Sequence, residues 1–136
     1  MLKRFATMTG VLALVGLIGL ANADDARPTI KQAMTKIAKG KVSSIPALKT
    51  ALAAPSPDWK AIKANAKTVE TATGAIVDAK PPKGDQAGYT MLAKALAADA
   101  KALNDSAEKE DLAGAKAAFG KIGGSCMACH KAHRGK

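Results

Sequence analysis

The sequence predicts an all-α protein built from four helical segments. Three observations carry that expectation. Apolar residues recur at spacings of three and four from Ile30 to His133, no stretch alternates as a strand would, and alanine supplies 27 of residues 24–136. Alanine favours helix but fills little core volume. The large aromatics of that span are only Trp59, Tyr89 and Phe119. A core so poor in bulk gains much from a bulky apolar cofactor.

At 136 residues the chain has the length of one domain. Its first 23 residues read as a cleaved secretory signal peptide. Lys3 and Arg4 give a basic start, Val11 to Leu20 an apolar run, and Ala21-Asn22-Ala23 an A-x-A cleavage site. The run is shorter than the roughly 20 residues that span a bilayer. The expected mature domain is therefore residues 24–136, with no membrane span.

The first segment should start near Pro28, a position where the missing N–H costs nothing. Ile30, Met34 and Ile37 form its apolar stripe, and Ile45, Leu48 and Leu52 resume it beyond Gly40 and Pro46. The spacing allows one kinked helix over 28–53 or two shorter ones. In the second segment Ser56 reads as N-cap, with Pro57 at the first helical position and Asp58 in the first turn. Trp59, Ile62, Ala66, Val69, Thr73 and Ile76 then make a buried seam, ended by Pro81-Pro82 and Gly84.

Asp85 reads as the cap of a third helix reaching about Asn104, with Tyr89, Leu92, Leu96, Ala100 and Leu103 facing inward. A turn at Asp105-Ser106, with Glu108 completing a capping box, should open the fourth. Its stripe runs Leu112, Ala115, Phe119, Ile122, Cys126, Cys129, His133.

That stripe ends in Cys126-Met127-Ala128-Cys129-His130, the C-x-x-C-H pattern of covalent c-type haem attachment. Two thiols can each add across a haem vinyl group, forming thioethers, and the adjacent imidazole can bind the iron. At 100° per residue, Cys129, His130 and His133 lie within about 60° of Cys126, so all four share one arc. Gly123 and Gly124 lie one turn earlier, where either a flat ligand approaching closely or a kink would account for them. Competing readings fit less well. A thioredoxin-type dithiol sits at a helix N-terminus after a strand. A zinc site of Cys126, Cys129, His130 and His133 would draw four ligands from two turns of one helix, a poor tetrahedron. A plain disulfide would also suit an oxidising compartment.

A signal peptide, a helical body and one C-x-x-C-H close to the C-terminus together resemble the class II c-type cytochromes, cytochrome c prime and its low-spin, methionine-ligated relatives. The resemblance implies an antiparallel four-helix bundle, a periplasmic or otherwise exported protein, and one covalent haem c. Cys126 and Cys129 would carry the thioethers and His130 the proximal iron. Arg134, four residues after His130, matches a basic residue common in the haem environment of the family. Before it, where the family often has an aromatic residue, stands His133, read here as a packing or surface group.

The resemblance also implies that the distal residue comes from the first helix. Met34 sits there and would complete a His/Met site suited to electron transfer, unless it only fills core space. Met91 is the reserve, and Met127 lies in the motif itself. With no distal ligand the iron would be five-coordinate and would bind nitric oxide or carbon monoxide. A structural haem subunit of a larger redox complex is the third reading.

The net charge is +10, or +8 once Lys3 and Arg4 leave with the leader. Such a charge steers acidic redox partners and weakens with salt. Nucleic acid is not indicated, since no basic-aromatic interleaving or recognition motif occurs. No nucleophile-base constellation suggests an enzyme. A homodimer is compatible with the resemblance, although no apolar seam is left over for it.

Overall fold

The computed structural model describes residues 27–135; the expected signal peptide and cleavage site, in residues 1–23, lie outside them. Every element among the described residues is a helix: α1 (Ile30–Ala38), α2 (Ser44–Ala53), α3 (Trp59–Ala75), α4 (Gln86–Glu108) and α5 (Leu112–His133). The packed helices form a four-helix bundle in which α1 and α2 together supply the first element. No described helix is long and apolar enough to cross a membrane.

The choice between one kinked helix and two is resolved as two. Thr29 caps α1 in a reciprocal box: the Gln32 N–H donates to Thr29 Oγ1 at 3.2 Å, and the Thr29 N–H donates to Gln32 Oε1 at 2.8 Å. Beyond the last turn Gly40 adopts φ +92°, a conformation open to glycine without steric cost. Its carbonyl accepts the Ser43 hydroxyl at 2.7 Å, and α2 begins at Ser44. Pro46 falls in the first turn of α2, where its missing N–H breaks no hydrogen bond.

Two start signals shift from their expected places. In α3 the N-cap is Asp58, whose Oδ1 accepts the Ala61 N–H at 3.1 Å, so Ser56 and Pro57 precede the helix. The turn expected at Asp105-Ser106 does not form. Lys101 instead binds Asp105 across one helical turn at 2.6 Å, and α4 runs on to Glu108. Chain reversal follows at Glu110, which takes φ +55° and pairs with Lys63 of α3 at 2.9 Å. Asp111 then caps α5, accepting the Gly114 N–H at 3.0 Å.

The two long helices start alike. Asp85-Gln86-Ala87-Gly88 and Asp111-Leu112-Ala113-Gly114 each put glycine where a Cβ would crowd the capping carboxylate. The Gly88 N–H, bonded to Asp85 Oδ2 at 2.6 Å, holds the Asp85 carboxyl below its ordinary pKa.

The core forms where the expected stripes meet: Ile37, Leu48, Ile62, Val69, Leu103 and Ile122 are all essentially inaccessible to water. Burying each such side chain contributes about 1.5–3 kcal/mol. α4 and α5 pack closely on each other, and their buried faces are rich in alanine, with Ala93, Ala100 and Ala107 on α4 and Ala115 and Ala118 on α5. Thr73 is fully buried, and its hydroxyl donates to the Val69 carbonyl at 2.9 Å.

Asp111→Ala should destabilise the protein by about 1 kcal/mol through the lost cap. Glu108→Ala should cost under ~0.5 kcal/mol. Urea unfolding of both variants checks the pair; the reverse order would restore the start at Asp105.

Candidate haem site

Both thiols and the motif histidine come from the last two turns of α5, where the core stripe runs out between the helices. Ile122 is buried; Cys126 and Cys129 are half-buried, and Cys126 packs on the edge of the core. His130 is exposed, and its ring borders the same hollow. One residue before Cys126, the Ser125 hydroxyl donates to Asp99 Oδ2 at 2.8 Å, which ties this part of α5 to α4.

The hollow has two connected parts. A small apolar cavity of about 30 Å³ is bounded by Met34, Ile76, Tyr89, Ala93, Leu96, Cys126, Cys129 and His130. A wide open cleft of about 1250 Å³ shares Met34, Tyr89, Cys129 and His130 with it. The small size of Ala93, which is buried where the periodicity had favoured Leu92, leaves room on the α4 wall. Across the cleft stands α1. It packs on α2 and α3 but makes no backbone approach to α4 or α5, so the space between α1 and α5 stays open. Met34 lies on that edge of α1.

Tyr89 and His133 build the inner end of the site. The Tyr89 hydroxyl donates to the Ile76 carbonyl at 2.7 Å, and its ring meets His133 edge to face with centroids 5.7 Å apart. His133 is only 5 % exposed. Its Nδ1 lies 3.0 Å from the Lys83 carbonyl; a carbonyl can only accept, so Nδ1 carries the proton. Gly84, at φ +82°, lies so close that a Cβ there would collide with the His133 ring. The last turn of α5 is thereby fastened to the loop between α3 and α4. His133 is a packing group, filling the place for which the sequence comparison suggested an aromatic ring.

Burial pushes both thiols above the ordinary cysteine value, and for Cys126 the neighbouring Cys129 adds to it. Burial also raises Tyr89, to about 12. Arg134 follows the last turn, exposed on the cleft rim, with its backbone N–H on the His130 carbonyl at 3.2 Å.

The other expectations sort by position. Met91 and Met127 are 67 % and 74 % exposed and border neither part of the hollow. Gly123 and Gly124 are exposed, and a Cβ at either would meet no neighbouring atom within 4 Å. Among the described residues no three His, Cys, Asp or Glu side chains converge as a metal-ion cage. What sequence reasoning missed was the Lys83–Gly84–His133 clamp; its one signal was a glycine just after two prolines.

The donor set suits haem c. Two free thiols and an imidazole share one helix face, a thioether borders the same space from another helix, and the walls between are apolar. The cleft exceeds the roughly 300–1,000 Å³ of ordinary small-ligand pockets.

A family model described as Cytochrome C' matches residues 83–134, from the loop before α4 through the C-x-x-C-H motif to Arg134. No curated protein and no solved structure matches the chain. The family match implies haem binding, with electron transfer or gas binding as its use.

Because Tyr89 is the single tyrosine, ultraviolet difference absorbance reads its ionisation alone. The folded protein should keep the phenol neutral past pH ~10 and ionise it near pH 12. With the folded pKa above the unfolded one, this contribution to stability is complete below about pH 10. It is lost as pH rises through about 12. Titration near pH 10 in folded protein would contradict the buried geometry.

Proposed function

We propose, on a family match consistent with a class II c-type cytochrome, that the protein is an exported electron carrier holding one covalent haem. Its assigned axial ligands are His130 and Met34. The observation that carries this reading is that Met34 of α1 and His130 of α5 border the same hollow, although their helices do not pack together.

Each residue has a distinct task. Cys126 and Cys129 would hold the haem covalently as thioethers, each formed by adding one S–H across a vinyl group with nothing released. His130 would offer its imidazole nitrogen, and Met34 its thioether, to the iron. A neutral sulfur ligand favours the reduced metal and raises the potential relative to harder ligands. Ile76, Ala93 and Leu96 exclude water from the inner edge. When bound, haem supplies a one-electron ferric/ferrous couple.

Gas binding is the second reading, favoured by one observation: the small cavity between Met34 and His130 is lined by carbon and sulfur atoms with no polar wall. It requires Met34 to stay off the iron. An absorption spectrum separates the two. The carrier should be low-spin, with the weak methionine-to-iron charge-transfer band in the ferric state; a high-spin spectrum that shifts readily with carbon monoxide would sink the Met34 assignment.

Met34→Ala should leave haem covalently attached but open the iron to carbon monoxide, seen as a new difference spectrum. An unchanged spectrum would remove Met34 from the ligand set. Replacing both Cys126 and Cys129 by alanine should abolish haem staining on a denaturing gel, and persistence of the stain would overturn covalent attachment.

A further inference from the structure

Charge is unevenly distributed along this bundle. From Arg27 to Pro57 the chain carries Arg27, Lys31, Lys36, Lys39, Lys41 and Lys49 and not one carboxylate. All six are exposed, and none is in an ion pair among the described residues. Arg27, Lys31 and Lys39 border the wide cleft, which Lys80 and Arg134 reach from the other side; Asp78 is the single acid on its lining. Acids fall together at the α4–α5 turn, Asp105, Glu108, Glu110 and Asp111, but Lys109 stands among them and Lys101 and Lys63 pair with Asp105 and Glu110. Tyr89 at the cleft and Glu108 at that turn are separated by nineteen residues of one straight helix, roughly 30 Å. Unpaired cations therefore gather on α1, α2 and the mouth of the cleft, while the acids of the far turn are largely offset by neighbouring lysines.

We infer that the α1–α2 surface is a docking face for an acidic protein, which it orients against the cleft. The inference deepens the electron-carrier reading by naming the partner's chemistry and the face it meets. A cationic patch beside the site raises encounter rates and orients an acidic partner toward it. A protein surface fits better than a lipid one. Of the apolar residues of α1, Ala33 and Ile37 are buried and Ile30 and Met34 are half-buried on the cleft, which leaves Ala38 alone exposed, too little for a face to lay into a bilayer. Val42 is the one large apolar side chain exposed on this segment, enough for a contact at an interface but not for the apolar face that membrane-surface helices use.

The test uses the mature haem-loaded protein and poly-L-glutamate as the acidic probe, with binding followed by calorimetry. Two doubly substituted variants change net charge equally: Lys31→Glu/Lys39→Glu on the proposed face, and Lys116→Glu/Lys121→Glu on the exposed side of α5. The first pair should weaken binding at least ~fivefold and the second less than ~twofold. Binding by the unsubstituted protein should fall as ionic strength rises from ~0.01 M to ~0.15 M. Equal weakening by both pairs would overturn a local docking face in favour of bulk charge. Tighter binding to phosphatidylglycerol vesicles than to poly-L-glutamate, lost in Lys31→Glu/Lys39→Glu, would overturn the protein partner in favour of a membrane. The readout needs no redox chemistry, so its failure is distinct from failure of the haem assignment, which the denaturing gel reports.

Discussion

The pairing of α4 with α5 is the interaction on which the site rests. Alanines at the contact let the two backbones approach closely, and close-packed helices resist relative movement. Three polar contacts fix their register toward the site: Ser125 to Asp99, the Tyr89 ring to His133, and His133 to the Lys83 carbonyl. The thiols and His130 are displayed from the part of α5 thus pinned. The floor of the hollow is rigid because its packing is continuous with the core.

The opposite wall obeys a different rule. α1 is nine residues long, leans on α2 and α3, and is separated from α5 by the cleft. A short helix gains little stability from its own hydrogen bonds, so the capping box at Thr29 and the buried Ala33 and Ile37 hold it in place. That division suits a site needing one fixed face and one that adjusts to a ring inserted between them. Covalent bonds belong on the fixed side, and an exchangeable thioether on the other.

Legibility in the sequence followed the range of the forces involved. Periodicity is local, so the seams from Ile62 to Ile76 and from Ala115 to Ile122 could be read directly, and the motif at Cys126–His130 is local too. Helix ends were read less well. At Asp105 the residue types matched a cap, yet the Lys101 ammonium one turn earlier held the carboxylate along the helix, and the reversal waited for Glu110. Asp58 displaced Ser56 because its carboxylate could reach the Ala61 N–H. The His133 clamp joins residues 50 apart in sequence, and no spacing rule connects them. The placement of Met34 opposite His130 depends on tertiary packing, and sequence alone suggested it only through family resemblance.

The thin core and the hollow have one cause. Small side chains allow tight packing where α4 meets α5, but the same economy near Ala93 leaves a gap that neighbouring helices do not fill. Cys126 belongs both to the edge of the core cluster and to the lining of the cavity. A ring anchored there would extend the apolar interior from Ile122 outward to α1, doing for this end of the bundle what Leu48, Ile62 and Leu103 do for the middle. A haem held there would be a packing element as well as a redox group, and Cys126 and Cys129 would belong to the last layer of the core.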